Sequence, residues 1–106
     1  MSDEGARVEL IDGLQEAKLI GEFDLDVYEK VCAELAPLFE ATGDVTLDLS
    51  GVGFLDSSAI RLFVQLQQSR GGQGSLVLRA PQAHVARVLM VAGIAELGIR
   101  VETASD

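Results

Sequence analysis

The 106-residue sequence predicts an α/β domain: a small mixed β-sheet of about four to five strands, with helices packed mainly on one face. Three observations carry this expectation. The N-terminal part reads as two strands around a turn. The stretch "VTLDLS" (45–50) alternates strictly between apolar and polar residues, the mark of a strand with one dry and one wet face. The second half then alternates strand and helix with short connections, which implies parallel neighbours joined by right-handed crossovers. A sheet sandwiched between two helix layers would instead show continuous apolar strands.

The elements follow in order. "RVELI" (7–11) and "EAKLIG" (16–21) flank "DGLQ", where Asp12-Gly13 supplies a hairpin turn. "DLDVYEKVCAELAPLFEATG" (24–43) reads as a helix whose first amides Asp24 or Asp26 can cap. Val27, Val31, Leu35 and Leu38 fall at helical spacing, and Tyr28, Cys32 and Phe39 widen the stripe. Pro37 removes one backbone donor, so a kink or early stop is expected near it, and Gly43 ends the element. After the strand at 45–50, a helix is expected from about Ser57 to Arg70, with Ile60, Phe63 and Val64 on one side and Leu62 and Leu66 beside them. "GGQG" (71–74) breaks it, and "SLVLRA" (75–80) is the next strand. Pro81 is expected to begin a helix, where a missing amide matters least, running through Val85, Val88 and Leu89 toward Gly93. "IRVE" (99–102) supplies a last short strand.

Length allows one core, so residues 1–106 are read as a single domain. With no Trp and few aromatics, that core must be mostly Leu, Val, Ile and Ala. Seventeen acids against eight bases leave a net charge of −9, which repels a phosphate backbone and disfavours nucleic-acid binding. The charge serves either solubility alone or a partner with a basic surface. No apolar run approaches the ~20 residues of a membrane helix, and the N-terminus does not read as a signal peptide. The lone Cys32 allows no internal disulfide. Together these predict a soluble, cytoplasmic protein.

Catalytic and cofactor chemistry finds little support. His84 is the only histidine, and with one Cys and no ligand spacing no transition-metal site is expected. Cys32 lies on an apolar helix face, where a thiol behaves as a small hydrophobe. The glycines of "GVGF" (51–54) and "GGQG" are followed by no Lys-Ser or Lys-Thr pair, so neither is a phosphate loop. Glu22, Asp24 and Asp26 cluster, but acid–base catalysis also needs a pocket and tuned pKa values. The expectation is a non-enzyme without a cofactor.

"DSSAIRL" (56–62) poses the sharpest question. Asp and Ser before an apolar helix make an ordinary N-cap, since their oxygens accept orphan amide hydrogens. Two features point beyond a cap. The segment follows a strand, and in open α/β sheets sites gather beyond the carboxyl ends of strands. It also holds two adjacent hydroxyls where one cap suffices.

"GEFDLD" (21–26), "VTLDLSGVGFLDSSAIRLF" (45–63) and "AHVARVLMVAGIAEL" (83–97) together resemble the STAS domain of bacterial anti-sigma factor antagonists. The resemblance covers nearly the whole chain in the right order. It implies a small mixed sheet with helices on one face, and phosphorylation at Ser57, directly after the Asp of the motif. It further implies an ATP-binding anti-sigma factor serine kinase as partner and a PPM-type phosphatase that restores the serine. In that family the unmodified form captures the kinase and frees a sigma factor, so the resemblance implies a regulator of transcription that touches neither nucleic acid nor membrane. Asp24, Asp56, Ser58 and Arg61 are the implied partner-contact residues. Arg61, one turn after Ser57, either reaches back to its phosphate or is an ordinary solvated helix residue. Two departures stand out: Ala59 replaces the usual Gly, placing a methyl group where it could obstruct a partner's approach, and Ile60-Arg61-Leu62 replaces a run of small residues. The other function in view is a constitutive STAS accessory subunit, for example of a lipid transporter, in which "DSS" caps a helix or contacts a partner unmodified.

Overall fold

The computed structural model describes residues 5–11 and 15–103. The first two strands, β1 (Ala6–Leu10) and β2 (Glu16–Phe23), pair antiparallel, from Ala6 opposite Gly21 to Leu10 opposite Ala17. The expected Asp12-Gly13 turn lies outside the described residues. A 3-10 turn (Leu25–Val27) then leads into α1 (Tyr28–Glu34) and α2 (Ala36–Glu40). The one helix expected over 24–43 is thus two. Pro37 sits in the first turn of α2, where its missing N–H costs nothing, and Leu35 makes the break with φ −94° and ψ 6°.

Next come β3 (Val45–Leu55), α3 (Ser57–Gln68), β4 (Leu76–Arg79), α4 (Ala83–Val91), a second 3-10 turn (Ile94–Leu97) and β5 (Arg100–Glu102). Pro81 does not begin α4. Ala80 turns the chain sharply out of β4 with φ 58°, Pro81 is buried, and the extended Gln82 is the N-cap. The strands lie in sequence order, β1 antiparallel and β2 through β5 parallel.

On the dry face Ala17, Leu19, Leu47, Leu49, Leu76 and Leu78 are buried against the helices. The stripe α3 turns inward is Ala59, Leu62, Phe63 and Leu66. Ile60 and Val64, expected at its centre, are only half-buried. An alanine carries too weak a hydrophobic signal to mark the true centre of the face.

The other face is wet, and its charges are ordered. By strand register Glu9, Lys18, Asp48, Arg79 and Glu102 form one row across all five strands, alternating in sign. Arg79 also donates to Glu16 and lies 4.0 Å from Asp48. The hydrogen bond from Arg79 to Glu16 leads the causes that raise the guanidinium pKa. Opposite charges on facing strands contribute roughly 0.2–1 kcal/mol each, so the row specifies register more than it stabilises.

Past Asp48, β3 outruns β4 and its outer carbonyls need partners. The side chains at the start of α4 supply them: Gln82 Nε2 donates to Ser50 O at 3.2 Å, and His84 Nε2–H to Gly53 O at 2.7 Å. At the opposite end of the sheet Arg70, only 3% exposed, donates to the carbonyls of Leu38 (2.6 Å), Phe39, Gly43 and Leu66.

Candidate functional site

Phe23 of β2 and Leu55 of β3 are register partners, and an aspartate follows each. Asp24 (φ −123°, ψ −175°) and Asp56 (φ −121°, ψ −168°) leave their strands with nearly the same backbone geometry. Each carboxylate accepts an amide two residues on: Asp24 from Asp26 at 3.1 Å, Asp56 from Ser58 at 2.8 Å. The two turns are stitched together. The Asp56 N–H donates to Phe23 O at 3.2 Å, and the Leu25 amide is among the groups that lower the Asp56 carboxyl pKa. The sequence carried a sign of this: "GEFDLD" (21–26) and "GFLDSS" (53–58) share Gly-x-apolar-Asp-x-(Asp/Ser).

Within "DSS" the two hydroxyls have different fates. Ser58 Oγ donates to Asp56 Oδ1 at 2.5 Å and is spent on the cap. Ser57, the first residue of α3, is exposed, and its hydroxyl has no hydrogen-bond partner among the described residues. Ala59 is 4% exposed and belongs to the core, so its methyl group points inward and does not obstruct a partner. Arg61 does not reach back to Ser57: its guanidinium lies over the Tyr28 ring, 5.7 Å from the centroid. Tyr28 Oη in turn donates to Gln65 Oε1 at 2.5 Å.

The hollow between these elements, lined by Phe23, Asp24, Val27, Tyr28 and Ser58 among others, has a free volume of about 10 Å³, barely enough for one water. No group of three His, Cys, Asp or Glu residues placed to hold a metal occurs among the described residues. The surface around the two turns also carries exposed apolar residues. Leu25 (69% exposed) and Phe54 (48% exposed) stand on it as apolar knobs, and sequence reasoning missed both. Phe54 is displaced by an irregularity in the β2–β3 pairing: Val52 and Leu55 are both buried although three residues apart, so simple alternation fails there.

Burial resists ionisation of Asp56, but hydrogen bonds from Ser58 and from the Ala59 and Leu25 amides outweigh it and hold the carboxyl below its usual 3.8. Asp48 is likewise lowered: burial opposes, and bonds from Ser50 with the charges of Arg79 and Lys18 prevail. A depressed carboxyl pKa means that the unfolded chain binds more protons in the acid range. The stability is present above the unfolded value near 3.8 and is lost as pH falls through the folded values. Urea unfolding should give a flat stability from neutral pH down to about 4 and a fall below it. Asp56→Asn should make that acid slope shallower, and Asp56→Ala should cost about 1–2 kcal/mol at neutral pH for the lost cap.

No protein with curated annotation matches the sequence. Among solved structures, the anti-sigma factor antagonist SpoIIAA in its unphosphorylated form superposes with a TM-score of 0.69 at 17% identity, covering 94% of this chain and 90% of that one. A putative anti-sigma factor antagonist from Thermotoga maritima gives 0.65 at 19% identity, covering 94% and 88%. These similarities establish the fold. The sequence profile of the family described as "Mlab, STAS domain" matches residues 15–100, so the chain belongs to the STAS domain family.

Proposed function

We propose that this chain is an anti-sigma factor antagonist switched by phosphorylation at Ser57. Its unphosphorylated form binds and sequesters an anti-sigma factor that is also a serine kinase, which releases a sigma factor. A PPM-type phosphatase resets the switch, and the chain itself is a cytoplasmic, non-enzymatic regulator. The observation that carries the reading is the division of labour in "DSS": Asp56 and Ser58 bind each other, and the Ser57 hydroxyl is left exposed and uncommitted. Asp24, Asp56, Ser58 and Arg61 are the proposed contact residues. The two antagonists that share the fold support the same reading.

A phosphate on Ser57 would add about −1.5 to −2 charges at the start of α3. Anions are favoured there by roughly 0.3–1 kcal/mol, but the Asp56 carboxylate already takes the Ser58 amide and repels a second anion. The fold should therefore be nearly indifferent, and the signal is read by the partner that must seat the dianion. Ser57→Asp is expected to keep its melting temperature and lose affinity for the kinase. A variant that unfolds, or that binds as tightly as the parent, rules the proposal out. Incubation with candidate anti-sigma kinases and ATP, followed by mass mapping, should place the label on Ser57.

One observation favours the second reading, a constitutive accessory subunit of a transporter or signalling complex. Arg61, the cation nearest in sequence to Ser57, is held over Tyr28 rather than directed at the hydroxyl. That reading expects no label on Ser57 and co-purification with a transporter ATPase.

A further inference from the structure

At the far edge of the sheet, away from Ser57, a groove of about 470 Å³ runs between α4 and β5. Its floor and walls are apolar, built from Leu89 and Met90 of α4, Ile94 of the following turn and Val101 of β5. Met90 is 75% exposed, an unusual position for so large an apolar side chain without a partner.

The strand beside the groove has backbone groups to offer. The Ala80 N–H donates to Glu102 O, so Glu102 turns its backbone toward β4. Alternation along a parallel ladder then turns the N–H and C=O of Val101 outward, to the free edge. An unpaired edge next to an apolar groove is the arrangement that accepts an added strand, with backbone bonds for affinity and a pocket for alternate side chains.

The charge on the rim selects the occupant. Among the described residues Glu96 is the only charged one lining the groove, and it has no ion-pair partner among them. The chain as a whole carries −9. Two copies meeting here would bring like net charges together, and an anionic membrane surface would be repelled. We propose that this groove takes an extended segment of a partner protein, alternating basic and apolar residues, which adds as a sixth strand beside β5. Its apolar side chains enter the groove and a basic one pairs with Glu96. The site is separate from Ser57 and does not depend on the switch proposed there.

The test is titration of the full ¹⁵N-labelled chain with the synthetic peptide acetyl-Lys-Val-Lys-Ile-Lys-Val-amide, read by amide chemical shifts and hydrogen exchange. The expected result is shifts confined to α4, the following turn and β5, with the Val101 amide becoming protected. Glu96→Lys should bind about tenfold more weakly, since charge reversal replaces an attraction by a repulsion. Met90→Glu should weaken binding while keeping the parent circular dichroism, its side chain being exposed. A peptide with proline at the central position should not protect Val101. Ser57→Asp should bind as the parent does, which separates this test from that of the switch. Shifts scattered over the acidic surface, no shifts at millimolar peptide, or a dimer of the protein alone that buries β5 would each overturn the proposal.

Discussion

Replacing Arg70 by alanine should destabilise the protein by about 3 kcal/mol, measured by urea unfolding, because four backbone carbonyls lose a charged donor at once. Among the described residues only Leu38 O and Leu66 O keep another, from the Ala41 N–H and the Ser69 hydroxyl. The guanidinium is buried, and no carboxylate lies within ion-pair distance among the described residues. Desolvation pulls its pKa down, and the four carbonyls together with the Ser69 hydroxyl at 3.1 Å compensate it. Leu38 and Phe39 O belong to the end of α2, and Leu66 O to the last turn of α3, where carbonyls lack helical partners. A cation there also meets the negative ends of both helices. Lysine cannot serve four acceptors with one compact ammonium, so Arg70→Lys should recover only part of the loss. Arg70→Met separates packing from hydrogen bonding: it restores volume without donors and should remain close to alanine. A loss below about 1 kcal/mol for alanine would show that water replaces the donors at little cost.

Gly74→Ala should cost a comparable amount, about 3 kcal/mol, from two sources acting together. Gly74 has φ +146°, which L side chains rarely adopt, and a Cβ there would press into the backbone of Gly43 and Asp44. That backbone cannot yield easily. Gly43 O is held by Arg70, Asp44 Oδ1 accepts the Ser75 amide at 2.8 Å, and the Val45 N–H donates to Ser75 O. Both substitutions thus strike one corner, and the double variant should lose less than the sum, because either change alone frees Gly43. The Ser57 end lies at the other end of the strands, so both variants should bind the proposed kinase partner as the parent does, once corrected for the fraction folded.

The corner illustrates what the sequence conceals. Arg70 in "SRGG" reads as a polar helix exit, and three of its acceptors are main-chain groups 27 to 32 residues away, without side-chain signature. By contrast the alternation of Val45, Leu47 and Leu49 is legible, because one dry face imposes a period of two, and all three are fully buried. The same rule stops working where β3 passes its irregularity, which hid residues 51–55 as strand and Phe54 as a surface knob. At the candidate site, acid and hydroxyls after a strand were readable as a helix cap. Which hydroxyl makes the cap bond was not, since Ser57 and Ser58 are identical in composition and differ only in their direction from the helix start. Likewise the choice between two roles for Arg61 depended on Tyr28, 33 residues earlier, in an element whose packing no local pattern reveals.

The five-strand row of alternating charge has a consequence for how this molecule meets others. Covering that face with a second layer of helices, or with the flat side of a neighbour, would strip water from Glu9, Lys18, Asp48, Arg79 and Glu102 together, at several kcal/mol per ion. Broadside docking there carries that cost unless the neighbour brings matching charges, whereas the strand ends and the last strand's flank carry no such row.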